Sequence, residues 1–233
     1  MLLAVLAYVA HRVRQRKAAA HLDALAQQLD GIERTNDPDN QPSFGVRPRR
    51  LIGHGGIPRE RGDFDRAIEA RRGDVPVLLV DYTVDHPPEA RSRHGNSQQG
   101  ARHMVQVQTP LVPTLCIQRR PRNFRYNHPT SLHFVSDEEL AEYATGDARF
   151  DELFQVLTAS QAFAADLLTA QLVGLMTSDE WFHRRMIVFE SGTVWTQDGD
   201  HMADVDVLDT VDRLIRFART VPSRTWEQHA IAR

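Results

Sequence analysis

Lysine is nearly missing from this chain. Lys17 is the single one among 28 basic residues, the rest being arginine. We read that imbalance as G+C-rich codon usage rather than as a device. Cysteine is as scarce: the lone Cys116 excludes an internal disulfide and any cysteine-based metal cluster. It lies in the apolar run Thr114-Leu115-Cys116-Ile117, which predicts a buried, inert thiol. A basic excess is lacking too. Net charge is −3, so nothing demands nucleic acid as a partner, and none is expected. No Gly-x-Ser-x-Gly elbow occurs. The stretch Gly53-His54-Gly55-Gly56 has no phosphate-loop lysine and follows no clear strand. The histidines are scattered (His54, His86, His94, His103, His128, His133, His183), and no pair has the spacing of a helical zinc site.

Long apolar runs are also absent. Met1 to Ala10 is apolar, but a spanning helix needs about 20 such residues. The basic segment His11 to Lys17 follows at once. A secretory signal places its charges before the apolar stretch and ends in a small-residue cleavage site, and neither holds here. Basic residues on the C-terminal side match the cytoplasmic flank of a membrane helix. We therefore expect a membrane anchor built from Leu2, Leu3, Val5, Leu6, Tyr8 and Val9, with Arg12, Arg14, Arg16 and Lys17 at the headgroups. It is a transmembrane helix with a truncated start or an interfacial anchor; a soluble helix packed on the domain is the plainer reading. Leu22, Leu25, Ala26 and Leu29 continue a helical stripe, read as a stalk that stops at Gly31.

The chain divides into an anchor and stalk over residues 1–33, a linker over 34–61, an α+β domain over 62–226 and a tail over 227–233. Thr35 to Pro42 has linker composition, and Phe44 to Ile57 docks in part. Strands are predicted at Arg66–Arg71, Val75–Val84, Arg102–Thr109, Val112–Gln118, Ser131–Val135 and Asp151–Leu157. A hairpin joins Met186–Glu190 to Thr193–Gln197 across Ser191-Gly192. Polar Asp85 to Gly100 reads as a long hairpin loop. Arg102 to Thr109 alternates: His103, Val105, Val107 and Thr109 face one side, Arg102, Met104, Gln106 and Gln108 the other. That pattern predicts a sheet with one wet face.

Ser136-Asp137-Glu138-Glu139 is a capping box, so a short helix ending at Gly146 is expected. Thr158 to Gln161 opens another, whose stripe runs from Phe163 to Leu175. The last helix covers Val205 to Thr220, and Pro222 ends it. The predicted class is α+β: a mainly antiparallel sheet with helices packed on one face, preceded by an N-terminal helix.

The order of elements resembles an uncharacterised actinobacterial family of single-pass membrane-tethered proteins of unknown function. Val80-Asp81-Tyr82-Thr83, Phe150 to Val156, Leu167-Leu168-Thr169 and Arg216 to Trp226 carry the resemblance, which spans residues 66–226. It implies a transmembrane helix followed by a cytoplasmic domain and assigns no catalytic residue. The short apolar segment at the N-terminus departs from the pattern, which favours a truncated start.

Two stretches could carry chemistry. Asp198 to Asp206 gathers four carboxylates, Asp198, Asp200, Asp204 and Asp206, around His201, but lacks the glutamate and spacing of a calcium loop. Asp204, Asp206 and Asp209 instead suit the positive end of the last helix, so no metal is expected. Arg119, Arg120, Arg122 and Arg125 interleave with Phe124 and Tyr126, a mixture suited to anionic lipid or another phosphate ligand. The functional reading is a non-enzymatic binding or scaffold domain at the cytoplasmic membrane face, with a possible protein partner and no cofactor. A wholly cytoplasmic location is the alternative. The competing functions are a hydrolase-like enzyme with a dispersed site, or a phosphate or nucleic-acid module using residues 119–126. His183-Arg184-Arg185 reads as an exposed charged turn.

Overall fold

In a computed structural model the alternating segments join one nine-stranded sheet. Residues 20–48, 64–84, 100–120, 138–198, 202 and 206–232 are described. The strands are β1 (Ile32–Arg34), β2 (Arg66–Arg72), β3 (Val75–Val84), β4 (Gly100–Gln108), β5 (Leu115–Arg119), β6 (Ala141–Tyr143), β7 (Phe154–Thr158), β8 (Ile187–Glu190) and β9 (Thr193–Asp198). Their order is β1-β2-β3-β4-β9-β8-β5-β7-β6, and every pairing is antiparallel. The β8–β9 turn places Ser191 at φ 52° and Gly192 at φ 76°, the two left-handed positions of a tight hairpin. Among the described residues six helices accompany the sheet: α1 (20–28), α2 (Ala148–Leu153), α3 (Gln161–Leu167), α4 (Ala170–Ser178), α5 (Val207–Thr220) and α6 (Ser223–His229). The expected class holds: α+β, mainly antiparallel, with an N-terminal helix.

The helices share one core with one face of the sheet. Ile68, Leu79, Val105, Ile117, Phe189 and Val194 supply the sheet side of it. Phe163, Leu172, Val211, Leu214 and Phe217 supply the helix side. Phe189 sits 6.0 Å from the ring centroids of both Phe163 and Phe217. The stripe on α1 joins this core, with Leu22, Leu25 and Leu29 buried. The segment read as a stalk thus lies on the domain over residues 20–29. The helix ends against β2 so closely that a Cβ on Gly31 would lie 2.8 Å from Ile68 Cγ2.

The opposite face is not wet, which corrects the reading of β4. Arg102, Met104 and Gln106 are buried, and only Gln108 of that set is exposed. Polar Gln106 tolerates burial because its amide is fully matched. Its Nε2 donates to the Val46 carbonyl and its Oε1 accepts from the Val46 N–H, both at 2.7 Å. The strap that delivers Val46 needs Gly45, at φ 92°, where a Cβ would meet Gln106 Oε1 and Leu78 Cδ2 at 2.7 Å. Upstream, Asn36 Nδ2 donates to the Phe64 carbonyl at 2.6 Å, and the Ser43 N–H donates to Glu69 at 3.0 Å. A stretch with linker composition is therefore fastened to the sheet by its own polar groups.

Four local expectations change. Residues 141–143 form strand β6, not helix: Gly146 takes φ 83° and Asp147 at once caps α2, accepting from the Phe150 N–H at 2.9 Å. Asp151 to Leu153 belong to α2, and the strand begins at Phe154. Asp151 is engaged in closing the preceding turn, accepting from the N–H groups of Thr145 and Gly146 at 3.0 Å. The helix expected from Thr158 to Leu175 is two, because the Thr169 hydroxyl accepts from the Leu172 N–H and caps α4. The predicted strand at Val112 begins only at Leu115. Beyond Pro222, α6 runs to His229, whose Nε2 meets Asp166 at 2.8 Å. The loop 85–99, the strand expected at 131–135 and Gly53 to Gly56 lie outside the described residues.

Candidate functional site

Of the basic residues singled out by sequence, Arg119 and Arg120 are described. Arg122, Arg125 and Tyr126 lie outside the described residues, as do the anchor residues Leu2 to Lys17. Strand β5 ends at Arg119, opposite Phe154 of β7, and the two neighbouring arginines then part. Arg120 is consumed by the fold. Its Nε donates to the Asp151 carbonyl at 2.6 Å and its guanidinium pairs with Glu142 at 3.0 Å. The Gln155 amide and Arg120 hold the Glu142 carboxyl below the usual range. Arg120 therefore stitches β5 to β6 and α2 and is no free ligand group.

Arg119 is exposed. It lines a hollow of about 230 Å³ with Leu153, Glu180, His183 and Arg184. The stretch 183–185, read as an exposed charged turn, is what completes this hollow. A short 3-10 turn, Phe182–Arg184, buries Phe182 and turns His183 and Arg184 toward Arg119. His183 Nε2 lies 3.2 Å from the Thr177 carbonyl, and its ring meets Phe154 edge-on at 5.8 Å. Arg185 leaves the group: it pairs with Asp198 at 2.8 Å and stacks over Trp181 at 4.6 Å. Two guanidiniums against one carboxylate give the hollow a positive balance. Phe182 is the apolar residue whose burial sets this geometry, and it was the one signal in the sequence able to distinguish a docked turn from a free one.

A second polar group crosses the sheet on its helix face. Arg66, Asp81, His103 and Asp198 are cross-strand neighbours in one row over β2, β3, β4 and β9. Asp81 and His103 are buried. Arg66 pairs with Asp23 and Glu33 at the rim, and the Met202 N–H reaches Asp81 at 3.5 Å. Within the acidic segment 198–206, Asp198 is engaged by Arg185 and Asp206 caps α5 by accepting from the Asp209 N–H at 3.1 Å. Met202 is buried in the core; the other residues of that segment, Asp204 among them, lie outside the described residues. Among the described residues no group of three His, Cys, Asp or Glu side chains is placed to hold a metal ion.

On the opposite face the Tyr82 hydroxyl donates to Gln197 Oε1 at 2.6 Å, and Arg102 is the cross-strand neighbour of Tyr82. Burial pushes the Tyr82 hydroxyl up, with Arg102 opposing it, so the phenol stays protonated at neutral pH. Cys116 is fully buried on this face; burial and the nearby Glu190 charge push its thiol up. The expected inert thiol is what the structure holds, and no thiolate nucleophile is available there.

Among the described residues no helix is long and apolar enough to cross a membrane. No family model matches the chain, and no curated protein matches it. It is similar to the crystal structure of the mycobacterial trehalose monomycolate transport factor A, TtfA, with a TM-score of 0.46 and 8% identity over 88% of this chain and 92% of that one.

Proposed function

We propose that this chain is a membrane-tethered binding or scaffold domain that rests its Arg119 edge against anionic lipid. The carrying observation is the convergence of Arg119 and Arg184 on one hollow, with a single carboxylate, Glu180, to offset them. The apolar Met1 to Ala10 followed by the basic His11 to Lys17 supports a tether with the domain on the cytoplasmic side. A hydrolase-like reading would draw on the Asp81–His103–Asp198 row. That row does not favour it, since its carboxylates are already engaged: Asp81 accepts from the Met202 N–H and Asp198 is held by Arg185.

The test is co-sedimentation of the chain from Ala20 onward with anionic and with neutral vesicles. Each basic side chain at an anionic surface contributes about 1 kcal/mol at low screening. Replacing Arg119 and Arg184 together by glutamine should thus weaken binding to anionic vesicles by roughly 30-fold. Arg120→Gln should weaken it far less, because that guanidinium is held by Glu142 and Asp151. Equal binding by the double variant and the unaltered chain would rule out this edge as the membrane face.

A further inference from the structure

Arg102 is 7% exposed, and its Nε has no hydrogen-bond partner. Among the described residues no carboxylate pairs with it. The alternation of the strands explains why. Asp81 and Asp198 follow each other across the sheet in register with His103, on the helix face, whereas Arg102 is one residue away and on the other side. Glu190 shares the face with Arg102 but is in register with Thr193, which is opposite Gln108. That is six residues along β4, roughly 20 Å away. Glu69 lies opposite Leu78 and is occupied by Arg34 and Ser43. Tyr82 cannot serve as a counter-ion either, because its hydroxyl proton is donated to Gln197.

A buried guanidinium whose Nε lacks an acceptor is costly, and removing it from water is repaid only by good partners. Its planar fork of N–H donors matches the two oxygens of a carboxylate. We propose that Arg102 is the anion-binding residue of a ligand site on the second face of the sheet, beside Tyr82 and Gln197, and that its ligand is a small organic carboxylate. A monoanion fits because Arg102 brings one positive charge. Arg34 is paired with Glu69, and Arg71 lies at the far end of β2, where it donates to the Asp74 carbonyl. The neighbouring positions on the same face are apolar: Met104 is two residues along β4 from Arg102, and Val80 is opposite Met104. The site is on the opposite side of the sheet from the Arg119 hollow, so it stands or falls separately from the lipid-facing reading.

The experiment uses the full chain in non-ionic detergent, with butyrate as the probe and inorganic phosphate as the comparison. At tenfold over its Kd, butyrate should raise the Tm of the wild-type chain by about 3–6 °C. Arg102→Met keeps the bulk of the stem without the charge. It should abolish the butyrate shift, and without butyrate its Tm should be no lower than wild type. Calorimetric titration of wild type with butyrate gives a second reading that does not depend on how the variant folds. Absence of heat and of a Tm shift overturns the proposal. So does a Tm for Arg102→Met more than about 5 °C below wild type, which would mean that the chain satisfies the guanidinium itself. A shift with phosphate and none with butyrate overturns the carboxylate assignment.

Discussion

The two faces of this sheet are both buried, yet they are held by different chemistry. On the helix face, aromatic and aliphatic side chains from all six described helices and the 182–184 turn interlock, and Phe189 meets Phe163 and Phe217 ring to ring. Apart from the buried Asp81 and His103, the charged pairs there stand at the rim: Arg72 with Asp212, Arg213 with Asp179 and Asp209. On the second face a strap without regular structure covers β2 to β4, and side-chain amides and carboxylates fasten it. Burial without direction secures the first face. Paired polar groups, each dependent on its partner, secure the second. Replacing one group should therefore cost most on the first face but act most locally on the second.

The largest effect expected is Phe189→Ala. This ring is fully buried between Phe163, Phe217 and Trp226. Truncating such a phenylalanine costs about 3–5 kcal/mol through lost transfer energy and the cavity left behind. Urea unfolding followed by circular dichroism should show that loss with an unchanged slope, the mark of a single cooperative core. A loss under about 1 kcal/mol would mean that the helix layer collapses to fill the space.

Gln106→Leu tests the other face. It strips the partners from both the N–H and the carbonyl of Val46, and each unmatched backbone group costs about 1–3 kcal/mol where water cannot replace the partner. The consequence should be local: the strap loosens while the helix-face core persists. Chymotrypsin cleavage after Phe44 should then speed up at denaturant concentrations where the circular dichroism signal is still native. Cleavage at the wild-type rate would show that other contacts hold the strap, with Gly45 and the Leu78 packing the first to examine.

This contrast explains what could be read in advance. Strand β3 was legible as a continuous apolar run, β4 by its alternation, β2 by the turn at Gly73-Asp74, and β8 and β9 by the chemistry of the Ser191-Gly192 turn. Burial of Leu22, Leu25 and Leu29 was implicit in their spacing, though not the surface that receives them. The second face was illegible for a physical reason. Arg102 and Gln106 carry the pattern of solvated residues, and the partner that buries Gln106 is the backbone of Val46, 60 residues upstream, where side-chain pattern says nothing. The same limit applied to the site. Arg119 was visible as part of an arginine run, but its convergence with His183 and Arg184 depends on a tertiary turn. At residues 141–143, the capping-box pattern competed with strand pairing to β7, and pairing won.

The smallest effects are electrostatic, and they separate the faces by pH. On the second face, burial pushes Glu69 up, but the Ser43 hydroxyl and N–H and the Arg34 guanidinium outweigh it, so its carboxyl sits below the ordinary range. On the helix-face rim, the two-pronged bond from Arg72, at 2.9 and 2.8 Å, lowers Asp212. In both cases the unfolded chain binds protons more readily than the folded one. The stabilisation is therefore fully present above the unfolded values, about 4, and fades as pH falls through the lower folded ones. The two should differ in size. The Arg72 and Asp212 side chains are 40% and 42% exposed, so solvent screens the pair to about 0–1 kcal/mol. Glu69 is 16% exposed and accepts several bonds as a charged group, which is worth about 1–2 kcal/mol. Urea stability measured from pH 7 to pH 2.5 for wild type, Glu69→Gln and Asp212→Asn decides it. Glu69→Gln should be less stable at pH 7 and show the flatter acid limb, because the group that titrates is gone. Asp212→Asn should stay within about 1 kcal/mol of wild type throughout. If Asp212→Asn flattens the acid limb more than Glu69→Gln does, the rim pair is the stronger electrostatic contact. The second face would then owe its cohesion to the neutral amide of Gln106 rather than to its carboxylate.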